Sequence, residues 1–345
     1  MASSVAAGTI AAFAAPLSTS VGLFAWGENW KGSAFALNLF KNATATVAFL
    51  AVSIVAAYVR GQQAFAGDAT AAGWLVCSGL IGIVVGDTLW LQALARIGAA
   101  RTIFVDALKP FTAAAFGRLF LNEAVLSALA YVGVALTSVG VTVAAQPQTR
   151  ELSDEEEEVE EFQDSEKKAG ANTFALGYAM ALGNVILDTY GAVLTKQHGS
   201  ESFTAFEISA IRFGCSAAIL LATGLAARMW ARFVRKHRQL TYDLDTMTMP
   251  PPSSSSWADM PRGMTSKAWL CVLGGVTLTT FTASVLGVYA VMRLPLGVYA
   301  ALTSLGPVIS LPLGYLVRGD RVTPWNAVGA CLACAGVAMV VTSTG

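Results

Sequence analysis

Several polar side chains stand inside long apolar stretches, where any chemistry of this chain must be done. Lys109 lies in ARTIFVDALKPFTAAAFGRLF, three residues after Asp106 and directly before Pro110. A charge near the centre of a membrane span costs at least about 2.5–3.5 kcal/mol, so it must face a partner or a cavity. Asp106 shares a helical face with Lys109 and can neutralise it as an (i, i+3) pair; a lysine beside a proline kink can equally contact a substrate, and the two roles can alternate. Asp188, in LGNVILDTYGAVL, has Asn184 one turn before it and Tyr190 two residues after it. Asp87 follows a glycine-rich run, GLIGIVVGDTLWLQAL, with Trp90 three residues on; it can hold a cation or satisfy a backbone opening beside Gly86. Trp90 and Tyr190 can stack on a planar substrate or pack as core. Lys109, Asp188, Asp87, Asp106, Trp90, Tyr190 and Asn184 are therefore the candidate substrate-binding residues. Lys41, Arg212 and Glu207 are read as gate or structural charges, with Lys41 and Arg212 snorkelling or pairing with acids of the opposite half, and Glu207 solvated or at a gate near a span end.

Other chemistries lack their residues. Cys331 and Cys334 spell C-x-x-C, but no second ligand pair stands nearby, and all five cysteines lie in apolar stretches as small hydrophobes. His198 and His237 fall in loops without metal-ligand neighbours. No metal site, no cofactor and no catalytic constellation is expected, and the chain is read as a non-enzyme.

The composition places these residues in a membrane. Of 345 residues, 55% are hydrophobic and only 13% charged, about half the charge of a soluble domain, which excludes a soluble enzyme. The 22 acids and 22 bases cancel, yet ten of the acids lie between Glu151 and Glu166. Spans of about 20 apolar residues are predicted near 6–26, 34–58, 70–93, 99–121, 124–145, 173–195, 204–230, 268–291, 296–317 and 323–342. The first is read as a span and not a removed leader, because no basic residues open it. Residues 146–172, dense in like charge and nearly free of apolar side chains, are expected to form a disordered acidic linker. Residues 232–267, basic and then Pro/Ser-rich, are expected to form a long extramembrane loop.

The halves on either side of the linker repeat each other. At an offset of 197, Leu89 meets Leu286, Arg96 meets Arg293, Leu108–Pro110 meets Leu305–Pro307, Gly117 meets Gly314 and Glu123 meets Asp320. After one deletion, Gly140–Val141 meets Gly336–Val337; at an offset of 171, Lys41 meets Arg212. Residues 1–145 and 173–345 thus read as two five-helix repeats. Five is odd, so the second copy enters from the opposite side, giving an all-α integral membrane protein of ten transmembrane helices in two inverted repeats. Matched glycines and prolines read as scaffold. Unmatched polar residues read as site: Asp87 meets Ser284, Asp106 meets Thr303, Lys109 meets Gly306, and Glu207 meets Ala36.

The stretches GDTLWLQALARIGAARTI and LKPFTAAAFGRLFLNE, echoed by VYAVMRLPLGVYAALTSLGPVISLPLGYLVRGD, resemble the EamA-type carriers of the drug/metabolite transporter superfamily. Those carriers have a similar A-L-x-x-I-G-A-x-R junction and a proline in the fourth helix before a Gly-acid turn. The resemblance implies secondary active transport of a small metabolite. Lys109 and Gly306 stand where many relatives have Glu before that proline, so no coupling carboxylate is carried over. The expected function is a secondary transporter of a small polar metabolite by alternating access. The alternatives are an anion exchanger for phosphorylated or nucleotide-linked sugars, using Lys109, Lys41 and Arg212, and a non-transporting membrane scaffold or enzyme. Expected partners are a small-molecule substrate, the lipid bilayer and a coupling ion whose identity stays open, with no nucleic acid; oligomeric state stays open as well. Loop charge favours an N-terminus on the non-cytoplasmic side.

Overall fold

A computed structural model describes residues 2–27, 29–145, 171–199, 203–242, 260–261, 263–319 and 322–343. The acidic linker expected at 146–172 lies outside them save for its last two residues, which begin a helix. The first repeat comprises α1 (Ala2–Gly27), α2 (Ala34–Val59), α3 (Ala69–Ser78), a π-helical segment (Gly79–Gly86), α4 (Asp87–Asp106), α5 (Lys109–Phe120) and α6 (Ala128–Ala144). The second comprises α7 (Ala171–Gly199), α8 (Ala205–Tyr242), α9 (Ser266–Val276), a π-helical segment (Thr277–Thr282), α10 (Ala283–Val291), α11 (Leu296–Thr303), α12 (Gly306–Arg318) and α13 (Pro324–Thr342). Among the described residues, seven helices are long and apolar enough to cross a membrane. Three further crossings complete ten: α7, the 17-residue α6, and a broken fourth span.

Helix starts are written twice. Ser33, Asp68 and Ser127 cap α2, α3 and α6, their side chains accepting from Ala36, Ala71 and Ala130. The same offsets land on Thr204, Thr265 and Thr323, which accept from Glu207, Ala268 and Asn326. Each oxygen satisfies a backbone N–H that the first turn leaves orphaned.

The breaks repeat too. Both π segments fall at matched positions of the third and eighth spans. The fourth span, expected as one helix over 99–121, is interrupted at Ala107–Leu108, and the ninth at the equivalent Ser304–Leu305. Pro110 and Pro307 cause this: a proline ring clashes with the carbonyl four residues earlier and offers no N–H to it. Gly98, at φ 77° and ψ 170°, turns the chain from the third span into the fourth. Two further boundaries differ from expectation: α7 runs on to Gly199 and takes in His198, and α8 runs on to Tyr242, so residues 232–242 with His237, expected as loop, are helical. The Arg- and Lys-rich sequence there is made of good helix formers.

Packing exchanges the halves. α1 packs on α9, its π segment and α10, as α7 packs on α3, its π segment and α4; α2 packs on α8, and α6 on α13. A Cβ on Gly133 would lie 2.6 Å from the Gly336 carbonyl oxygen, and one on Gly336 would lie 2.6 Å from that of Gly133. Small residues let backbones approach this closely where lipid supplies no hydrophobic drive. Asn326, fully buried, also donates to the Ala144 carbonyl at 3.1 Å across the same contact. Ten crossings put the start of α1 and the end of α13 on one face, called here the terminal face. The ends of α6 and α8 lie on the other, the linker face.

Candidate functional site

Between the halves lies a cavity of about 1290 Å³. The first repeat lines it with Lys41, Asp87, Trp90, Arg101, Asp106 and Lys109, and the second with Asp188, Arg212, Tyr299 and Thr303. Lys109 is the first residue of α5, placed at depth by the Pro110 break. Its ammonium lies 3.4 Å from Asp106 Oδ1 and 3.3 Å from Asp188 Oδ2, so it joins an acid of each half. Trp90 Nε1 donates to the other Asp106 oxygen at 2.8 Å and fixes that carboxylate. Lys41 pairs with Asp87 at 2.5 Å.

Seven of the ten expected residues therefore meet at one cavity: Lys109, Asp188, Asp87, Asp106, Trp90, Lys41 and Arg212. Three do not. Tyr190 packs edge-on against Phe120 and Phe116, with ring centroids 5.5 Å and 6.4 Å away. Two residues beyond Asp188 is about 200° round a helix, so one turns inward and the other outward. Asn184, 2% exposed, donates to the Gly86 carbonyl at 3.0 Å. It answers the backbone opening at the π segment, a role that Asp87 was one candidate for. Glu207 is not solvated, at 7% exposure. It closes a capping box on Thr204, accepting from its N–H and hydroxyl at 2.8 Å, and also accepts the Phe65 N–H. That bond holds Phe65 at φ 58° in the loop before α3. The charge pairing differs as well. Lys41 binds an acid of its own half, and Arg212 has no carboxylate within 4 Å among the described residues.

Two features escaped the sequence reading. Tyr299 meets Thr102 in the repeat, so the rule of unmatched polar residues, applied to aromatics, would have found it. The second is a cross-half latch on the terminal face. Glu123, just beyond α5, accepts from Lys196 at the end of α7 and from the Leu296 N–H at 2.8 Å, while Lys196 also donates to Leu294 O at 2.5 Å. Glu123 drew notice only as the match of Asp320, and that residue lies outside the described ones.

The cavity is not symmetric about the repeat. Gly98, Arg101, Ala144 and Ala145 line it toward the linker face. Their equivalents toward the terminal face are Pro295, Val298, Val340 and Val341, and none of these reaches the cavity. Val298 and Val340 are 1% and 0% exposed and belong to the central core. Toward the terminal face the lining ends at Thr195 and Leu296, beside the Glu123–Lys196 latch.

No curated protein sequence matches the chain. Among solved structures, one described as "Crystal structure of protein" superposes with a TM-score of 0.66 at 16% identity, covering 98% of this chain and 97% of that one. It shares the fold. The model of the EamA-like transporter family matches residues 5–146 and 251–342, covering parts of both repeats and most of the cavity-lining helices. With its ten-span inverted architecture and a cavity between the halves that holds charged side chains, the chain belongs to the EamA-like transporter family, an integral multi-pass membrane family of the drug/metabolite transporter superfamily.

Proposed function

We propose that the protein is a secondary carrier that moves a small polar metabolite by alternating access. The observation that carries this reading is the inequality of matched residues. Positions 98, 101, 144 and 145 line the cavity, while 295, 298, 340 and 341 do not, and the last three of these pack in or against the central core. Two copies of one sequence pattern can exchange these roles, and the exchanged arrangement opens the other face. The matched π segments and matched proline breaks give each half the same bending points.

In this reading Lys109 couples the halves at the midplane. It holds Asp106 of the first and Asp188 of the second, and a substrate that competes for either acid loosens the joint. The Glu123–Lys196 latch holds the terminal face shut until then. Purified protein in liposomes tests the proposal. The expected result is saturable uptake of at least one solute from a broad metabolite panel, accelerated by the same solute trapped inside. Uptake that is linear in concentration, or absent across the panel, overturns it.

A further inference from the structure

We infer that Arg212 is an anion subsite of the central cavity, so that the transported metabolite carries a carboxylate or phosphate group. The inference rests on the carrier reading and names the chemistry that its site accepts.

The repeat supplies the argument. Lys41 and Arg212 are equivalent positions, and so are Asp87 and Ser284. In the first half the cation keeps its acid, with Lys41 and Asp87 at 2.5 Å. In the second half the cation stays and the acid has become a serine, and both residues line the cavity. Arg212 is thereby left without a carboxylate within 4 Å among the described residues, and its Nε is shut from solvent with no acceptor. The ionisable groups acting on it are Asp188, Tyr299 and Asp87. Asp188 is engaged with Lys109 and Asp87 with Lys41. Tyr299 brings a hydroxyl and no charge.

A guanidinium presents five donors in a planar fork that matches an oxyanion in two parallel bonds. Leaving one unpaired at membrane depth is costly, and in such segments unpaired cations mark ligand positions. The other deep cations are committed: Lys41 pairs with Asp87, and Lys109 lies between Asp106 and Asp188. Among the described residues, the deep cation that an incoming anion finds without a carboxylate partner is therefore Arg212, with the Ser284 hydroxyl lining the same space.

Restoring the lost acid gives a discriminating test. Ser284→Asp should rebuild in the second half the pair that Lys41 and Asp87 form in the first, filling the subsite from within. Wild type, Ser284→Asp, Arg212→Gln and Arg212→Lys are purified in detergent. Their melting temperatures are then measured with inorganic phosphate, 3-phosphoglycerate, malate and glutamate, and with choline and glucose as cationic and neutral probes. At least one oxyanion should stabilise wild type. Ser284→Asp should melt no lower than wild type without ligand and yet lose that response. Arg212→Gln should weaken apparent affinity about tenfold or more, the worth of one charge-assisted contact, and Arg212→Lys should retain part of it. The phosphate and carboxylate arms tell which oxyanion is preferred. The inference is overturned if no oxyanion stabilises wild type, if choline or glucose alone does, or if Ser284→Asp keeps the oxyanion response. Binding in detergent does not depend on transport, so oxyanion binding without counterflow in liposomes would refute the carrier reading and leave the subsite standing.

Discussion

Lys109 is charged, proline-adjacent and shared between two carboxylates, and its removal has two separable consequences. Lys109→Ala strands Asp106 and Asp188 in a space built for a cation; these side chains are part-exposed to the cavity, so the cost falls below the about 3–5 kcal/mol of a fully buried pair. If pairing with Asp106 were its whole role, Asp106→Ala with Lys109→Ala would restore activity, because the two charges leave together. Asp188 stands 3.3 Å from the same ammonium, so the double variant still lacks the link between the halves. We expect uptake to stay abolished in Lys109→Ala and in the double variant; near wild-type uptake by the double variant would refute a transport role for Lys109. At this scale the sequence was readable at three of the polar residues without a counterpart in the other half, Asp87, Asp106 and Lys109. It misleads at Tyr190 and Glu207. Depth alone selects Tyr190, where its angle of about 200° from Asp188 turns it away, and a capping box near a span end looks like any polar residue there.

The helices owe their junctions to small residues, and the α6–α13 crossing is the tightest. A Cβ added at Gly140 would fall 2.2 Å from the Ala333 nitrogen, whereas one added at Gly274 meets nothing within 4 Å. Gly140→Val should therefore separate the two helices and cost about 1–3 kcal/mol or more, seen as a lower melting temperature and reduced yield of folded protein. Gly274→Ala should change the melting temperature by little, as substitutions in open space do. Equal behaviour of the two would contradict the crossing. The element boundaries were largely legible, because Ser33, Asp68 and Ser127 announce helix starts and their repeat partners do so again. What composition could not reveal was the interruption of the fourth and ninth spans. An apolar stretch of the right length reads as one helix whether or not a proline has freed its carbonyls. The π segments have no compositional mark at all, since Gly79–Gly86 and Thr277–Thr282 share almost no residue types.

Over the whole molecule, the duplicated pattern sets the architecture, and the differences between copies set the function. Ten crossings place Ala2 and Thr342 on one face and the chain between α6 and α7 on the other. Reporter fusions or protease sites at the start of α1 and within residues 146–170 should therefore appear on opposite sides of the membrane. The basic residues beyond Trp230 favour the linker face as the cytoplasmic one. Finding both sites on one side would refute the ten-span topology. The central claim, that one vestibule opens as the other closes, has a direct test in a cysteine-free background. Arg101→Cys and its repeat equivalent Val298→Cys are labelled in liposomes with a membrane-impermeant maleimide applied from either side, with and without Glu123→Gln to release the terminal latch. The account predicts that with the latch intact Arg101→Cys labels from the linker face and Val298→Cys is protected. Releasing the latch should raise labelling of Val298→Cys from the terminal face and lower that of Arg101→Cys. Labelling of both positions together, or no change on removing the Glu123 charge, would contradict it.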